Sequence, residues 1–288
     1  MMEFHRIDPV PELEALRDFL AASDPDDYLL EDLADWIRDG RLWAAIEENR
    51  WLAFGRLHDL GEDEGWVSGF RVAAPRRGQG IGSQLLGHLL SDARSVGLTS
   101  LRASIEVENV ASSRLFSRFG FRPVLELTLR CGRASRGAGP ALHRVDRGVD
   151  WAGPVGWLPQ ATGYVDVLPG EDGGRIARWR RSLPERWANE GKLYVAGGLA
   201  VAVQVDWWKS PRTLWVNPLQ GDPGVLVEAV SRLTGSLGHE AWQAFLPSSD
   251  AARGDYERLG LVPNPAWGDR VRIFEWNDPH PGGPGPSR

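Results

Sequence analysis

The chain has 288 residues, 42% of them hydrophobic and 25% charged, with a formal net charge of -6. That length predicts two soluble, globular domains rather than one. The negative balance speaks against a nucleic-acid surface and suits a cationic acceptor such as an amine; with no apolar run of roughly eighteen residues, no membrane span is expected.

In chain order, the charged start at Glu3-Phe4-His5-Arg6 leads to no signal peptide being expected. Arg41 to Ala45, a turn near Asn49-Arg50, and Trp51 to Gly55 predict a hairpin. Trp66 to Val72 predicts the next strand, in which Phe70, Val72 and Ala74 alternate with Arg71 and Ala73 until Pro75 stops it. Arg77-Gly78-Gln79-Gly80-Ile81-Gly82 then opens a helix whose Ile81, Leu85, Leu86, Leu89, Leu90 and Ala93 recur with a helical period. A loop that turns straight into a helix presents unpaired N–H groups and the positive end of the dipole, and glycines there let an anion come close. Ser83 adds a hydroxyl or N–H donor in the first turn. Ser83-Gln84 is not the Lys-Ser/Thr pair of a P-loop, and counted from Gly78 the third glycine of a dinucleotide fingerprint falls on Ser83. What remains is R-x-x-G-x-G at Arg77, Gly80 and Gly82. Leu101 to Val107 predicts a strand, and Asn109, Ser112, Leu115, Phe116 and Phe119 a helix closed by Gly120-Phe121.

These segments resemble the GNAT superfamily of N-acetyltransferases. The loop matches that family's pyrophosphate loop, and Asn109, Ser112, Phe116 and Gly120-Phe121 match its Asn, small residue, aromatic and closing Gly-Phe. The resemblance implies acetyl-CoA as the donor, held by Phe70, Arg71, Val72, Arg77, Gly78, Gln79, Gly80, Ile81, Gly82, Ser83, Asn109, Ser112 and Phe116. It places the thioester between the strands Trp66 to Val72 and Leu101 to Val107, served by backbone N–H groups near Phe70 to Val72. The implied reaction is direct attack by a primary amine of a small molecule or peptide in a ternary complex. An alkyl amine is mostly protonated at neutral pH, so a base or a desolvated pocket must assist.

The side-chain catalysts depart from the family pattern. A Glu base used by some members would stand at Trp66, and the Tyr acid used by many would stand at Phe116. Three explanations stay open. Proximity can carry the reaction, with Glu106 the first choice of base ahead of Glu108, Glu64 and His58. Tyr256, at the equivalent place in the second half, can contribute instead. Or the chain is a non-catalytic acyl-CoA-binding sensor or interaction module.

The second half repeats the plan. Gly132 to Gly163 is rich in Gly, Pro, Arg and Ala and predicts a linker or crossover, while Leu125 to Cys131 is either the last strand of the first half or a partner of the second. Cys131 permits no internal disulfide and is expected to be small and buried, and a cytoplasmic location is the simplest expectation. Lys192 to Ala196, Gly197-Gly198 and Leu199 to Val203 predict a second hairpin, Leu214 to Val216 a strand, and Val225 to Leu237 a helix. Ala241 to Phe245, then a helix through Tyr256 to Leu259-Gly260-Leu261, parallel Leu101 to Phe121 at an offset of about 140 residues. This resembles a tandem GNAT chain of α/β class, two GNAT-like domains that are each a twisted, mostly antiparallel sheet flanked by helices. The expected layout is 1–135 for the domain that binds acetyl-CoA, 136–160 for a linker or crossover, 161–278 for a degenerate copy and 279–288 for a flexible tail.

The copy departs at Leu219 to Gly224, where Asp222 brings a negative charge and Pro223 lacks an N–H. Coenzyme A is therefore expected in the first half alone, with the second shaping the acceptor pocket or an interface. Trp207 and Trp208 are read either as core filling or as an aromatic wall for a flat or cationic substrate. His5, His88, His143, His239 and His280 are scattered without ligand spacing, so no metal is expected. Nothing in the sequence fixes the oligomeric state.

Overall fold

The computed structural model describes residues 2–7, 13–30, 33, 41–137, 139–145, 164–166, 175–180, 182–206, 213–264 and 270–279. Trp207 and Trp208 and the tail from 280 lie outside the described residues. The elements are β1 (Glu3–Arg6), α1 (Leu13–Ser23), β2 (Arg41–Glu47), β3 (Arg50–Gly61), β4 (Glu64–Val72), α2 (Ile81–Ser95), β5 (Ser100–Glu106), α3 (Val110–Arg118), β6 (Arg122–Arg133), β7 (His143–Arg144), β8 (Tyr164–Asp166) and β9 (Ile176–Arg178). They continue with α4 (Ser182–Asn189), β10 (Leu193–Ala196), β11 (Leu199–Asp206), β12 (Thr213–Gln220), α5 (Pro223–Ser236), β13 (Ala241–Pro247), α6 (Asp250–Arg258), β14 (Val262–Pro263) and β15 (Val271–Asn277). Short 3-10 turns lie at Tyr28–Leu30 and Ala74–Arg76. The chain divides into two compact units, Met1–Val124 with Ile273–Arg288, and Leu125–Arg272.

In the first unit β1 to β4 are antiparallel neighbours, and β5 runs parallel to β4. Two tight turns join β2 to β3 and β3 to β4. Glu48 and Asn49 (φ 49° and 60°) make the first, Glu62 and Asp63 (φ 52° and 65°) the second. Left-handed pairs of this kind match the twist of the strands they connect. The two faces of the sheet are covered separately. Leu85, Leu86, Leu89 and Phe116 from α2 and α3 pack with Ala53, Leu57, Val67, Ala103 and Ile105 on one face. Leu16, Phe19 and Leu20 of α1, with Leu29, pack with Leu42, Ala44 and Phe54 on the other. The strand β15 lies beside β5, and its Glu275 joins Glu64 on a fully buried guanidinium, with Arg102 Nε to Glu275 Oε2 at 2.8 Å and Nη2 to Glu64 Oε1 at 2.9 Å.

The second unit repeats this construction. The hairpin β10–β11 turns through Gly197 and Gly198 (φ 47° and 87°), β12 continues it antiparallel, and β13 runs parallel to β12. The stretch Leu127 to Arg133 of β6 pairs antiparallel with β13, so of the two alternatives for this segment the second holds. Cys131, on that strand, is half-buried rather than buried. Trp242 and Trp215 serve the core: the first donates from Nε1 to Ser231 Oγ at 3.1 Å, the second meets Phe245 edge-on at 5.6 Å.

The repeat extends to the helix ends. Asn109 caps α3 by accepting from Ser112 N at 3.0 Å, and Ser249 caps α6 by accepting from Ala252 N at 3.1 Å. Gly120 (φ 87°) and Gly260 (φ 76°) close the same two helices. In both, the second residue past the cap donates back to the carbonyl of the aromatic residue, Phe121 to Phe116 and Leu261 to Tyr256. This is the Schellman arrangement, which uses the left-handed freedom of glycine to satisfy the last carbonyls.

Candidate active site

β4 and β5 pair at three positions only, Glu64 with Ser100, Gly65 with Leu101 and Trp66 with Arg102. Beyond Trp66 the two strands part into a fork. A bulge shapes its β4 arm: Phe54 faces Arg71 and Arg56 faces Ser68, so Gly69 and Phe70 together oppose Gly55. Gly69 takes φ 60°, a value that suits glycine at a bulge. Past the bulge Ala73 N–H donates to Leu52 O at 2.9 Å, which makes the adjoining pair Ala53–Val72 one whose N–H and C=O groups point away from each other. The Val72 N–H and C=O therefore face the fork, and Arg77 Nε donates to that carbonyl at 3.2 Å.

The loop after the arm is held without side chains intruding on it. Gly78 and Gly80 sit at φ 77° and 82° with nothing within 4 Å of where a Cβ would stand. Their left-handed conformations are what demand glycine here, and the space beside them is open. Gln79 Nε2 donates to Pro75 O at 3.1 Å, and Arg76 pairs with Glu47 at 2.6 Å, tying the loop to strand β2. Gly80 is the N-cap of α2 and brings no capping side chain. The first backbone bond of the helix is Gln84 N–H to Gly80 O at 3.1 Å, so the N–H groups of Ile81, Gly82 and Ser83 precede the ladder at an uncapped, electropositive end. Gly82 has a different reason to be glycine. A Cβ there would lie 3.4 Å from both Leu115 Cδ2 and Phe70 Cε1 and 3.5 Å from Val72 Cγ2, so this is where β4, α2 and α3 converge.

The residues singled out from the sequence are distributed as follows. Phe70, Arg71 and Val72 form the arm, Arg77 to Ser83 the loop and helix start, and Leu115 brings α3 against both. Asn109 and Ser112 bond each other at the start of α3. Phe116 is buried, edge-on to Phe70 at 6.0 Å and to Phe121 at 4.9 Å. Glu106 ends β5 at the tip of the other arm and is exposed. It shares a face with Arg102, opposite to Leu101, Ala103 and Ile105, which pack against α2. The reserve bases part ways. Glu64 is committed to Arg102 and His58 is paired across from Trp66, both at the closed end of the fork, whereas Glu108 is exposed beside the cap of α3. Tyr256 donates from its hydroxyl to Pro247 O at 3.1 Å, and burial pushes its pKa up to about 12.

Two features carried no clear sequence reading. Gly69 inside an apolar strand is a recognised bulge signal. Asp27 is buried and bonds Arg71, Nε to Oδ2 at 2.7 Å and Nη2 to Oδ1 at 3.3 Å. Nothing local announces that pair, 44 residues apart.

The second unit has a fork as well, since β12 and β13 pair only at Thr213–Ala241, Leu214–Trp242 and Trp215–Gln243. Its surroundings differ. Two residues, 221–222, separate Gln220 from the helix at Pro223, against eight, 73–80, between Val72 and Ile81. The start of α5 is closed by Asp222, whose Oδ1 accepts from Gly224 N at 3.0 Å and Val225 N at 3.2 Å. The space between the strands and helices is lined by apolar groups such as Val216, Leu226, Trp242, Leu246 and Leu261, with Tyr256. Among the described residues no group of three or more His, Cys, Asp or Glu side chains could hold a metal ion, and no helix is long and apolar enough to cross a membrane.

Residues 12–121 match the model of the acetyltransferase (GNAT) family. No curated protein sequence matches the chain. Among solved structures, a candidate acetyltransferase from Thermoplasma acidophilum is 17% identical with TM-score 0.59, covering 96% of this chain and 99% of its own. A GCN5-related N-acetyltransferase from Sphaerobacter thermophilus is 15% identical with TM-score 0.58, covering 96% and 95%. A tandem GNAT protein from the clavulanic acid biosynthesis pathway is 13% identical with TM-score 0.54, covering 96% and 98%. At these identities the likeness is one of fold, and it spans both units.

Proposed function

Residues 12–121 being a GNAT-family acetyltransferase domain, we propose that this chain is an acetyl-CoA-dependent N-acetyltransferase acting on a primary amine of a small molecule or peptide. The observation that carries the reading is the contrast between the two helix starts. That of α2 is left open by Gly80 beside a fork, whereas that of α5 is closed by its own Asp222 carboxylate. Diphosphate on the open end would accept from the N–H groups of the loop and first turn. Its pantetheine arm would then follow β4 to Val72, whose N–H faces the fork.

The reaction needs little beyond this. The amine nitrogen attacks the thioester carbonyl, the oxygen gains charge beside the Val72 N–H, the C–S bond breaks, and the thiolate takes a proton as the nitrogen loses one. Orientation in a ternary complex can supply about 7–11 kcal/mol of the barrier, so a chain with Phe116 in place of an acid remains competent. Glu106, on the arm opposite Val72, is the proposed base. The second unit, with its helix start closed by Asp222, has no cofactor role in this reading.

Titration with acetyl-CoA, followed by thiol release with a panel of amines, aminoglycosides and peptides, tests the proposal. One acetyl-CoA per chain and thiol release with some acceptor are expected. The second reading, a non-catalytic acyl-CoA sensor, is favoured by the apolar Trp66 and Phe116, and tight binding with no thiol release across the panel would establish it.

A further inference from the structure

The Asp27–Arg71 pair lies on the first unit, on the face of the sheet covered by α1, and it reaches the one peptide whose direction matters most. Arg71 is the residue before Val72, so the Arg71–Val72 peptide carries the N–H that faces the fork. Its guanidinium is fixed twice. Nε and Nη2 go to the Asp27 carboxylate at 2.7 and 3.3 Å, and Nη1 turns back to Phe70 O at 3.4 Å, inside the bulge. Asp27 is itself fixed: its side chain is 4% exposed, and Oδ1 also accepts from Leu29 N at 3.1 Å in the turn that follows α1. A buried carboxylate thus holds a two-point grip on a guanidinium, the geometry in which Arg and carboxylate pair most firmly.

Resting on the acetyltransferase reading above, we propose that Asp27 is a positioning residue for acetyl transfer: through Arg71 it sets the bulge at Gly69–Phe70 and thereby aims the Val72 N–H at the thioester oxygen. The glycine bulge alone leaves that segment soft, because Gly69 accepts many conformations. The grip removes the freedom at the residue next to it. It also comes from the face opposite α2, so it constrains the arm without occupying the side on which the diphosphate loop lies. Misplacement of a donor by as little as an ångström can cost on the order of 100-fold in rate, so small losses of this grip should be visible in chemistry before they are visible in binding.

The test needs no acceptor. Acetyl-CoA labelled with 13C at the acetyl carbonyl is bound to the full chain, to Asp27→Asn and to Asp27→Glu, and the carbonyl resonance is read at saturation. In the unaltered protein the resonance should move downfield on binding, as a hydrogen bond polarises the carbonyl. Both variants should bind acetyl-CoA with unchanged affinity and lose most of that displacement. An equal displacement in all three proteins overturns the proposal, as does its absence from the unaltered protein. Loss of affinity in step with the displacement also overturns it, because the pair would then merely hold the fold. Should Asp27→Asn fail to fold, Asp27→Glu, which keeps the charge but moves the carboxylate by one methylene, carries the same comparison. If the unaltered chain does not bind acetyl-CoA at all, it is the acetyltransferase reading that fails, and this outcome is distinct from the others.

Discussion

Gly80 shows how one missing Cβ can set a binding end. At φ 82° any other L-residue is strained by about 1–2 kcal/mol, and an added side chain would stand over the start of α2. Gly80→Ala is expected to weaken acetyl-CoA binding modestly, and Gly80→Asp to abolish it by adding a negative charge where the diphosphate would sit; calorimetric titration reads both. At the tip of β5, Glu106→Gln should lower turnover by roughly 10²–10⁴-fold with acetyl-CoA affinity unchanged, the range for a general base. An unaltered rate and pH profile would remove Glu106 from the mechanism. His88 offers a pH-dependent prediction of a different kind. Its ring stacks on Phe4 at 4.7 Å and meets Trp43 edge-on at 4.3 Å, and burial lowers its pKa although Asp92 pulls the other way. The unfolded chain takes up this proton more readily than the folded one, so stability present at neutral pH should decline as the pH falls below about 6.5. Denaturant melts at neutral and mildly acid pH should show the decline, and His88→Phe should flatten it.

At the scale of elements, α2, α3, α5, α6 and the hairpins β2–β3 and β10–β11 were legible because their signals are local, whereas α1 and α4 were not read. The 3.6-residue recurrence of Leu85, Leu86, Leu89 and Leu90 and the glycines at 120 and 260 each act within a turn of the chain. The departure of the second helix start could be read from Asp222-Pro223, and the structure supplies its physical form, a carboxylate on two N–H groups. Asp222→Ala should cost about 1 kcal/mol of stability, as caps do, without creating a second coenzyme A site; a denaturant titration together with a binding isotherm checks both parts. What the sequence did not show depends on residues far apart. Asp27 and Arg71 are 44 positions apart, and Arg102 and Glu275 are 173 apart, so no spacing rule connects them. Gly69 is a bulge signal that was not read from the strand, and where the bulge directs the Val72 N–H follows only from the pairing with β3.

At the scale of the molecule, doubling the plan has given two units with different fates, one fork beside an open helix end and one beside a helix end closed by Asp222. The same division governs stability. Glu275→Ala takes one of its two carboxylates from the fully buried Arg102, and breaking a buried pair in this way costs about 3–5 kcal/mol, so the first unit should melt well below the unaltered chain. That glutamate comes from the last strand, and the chain must therefore travel through the entire second unit before the first is whole. During synthesis, domains usually mature in the order they are made. On the proposed function, the unit with the open helix start would wait for β15, so a chain cut short anywhere before Ile273 should yield no acetyl-CoA binding in a calorimetric titration, and a partly made protein could not sequester the cofactor.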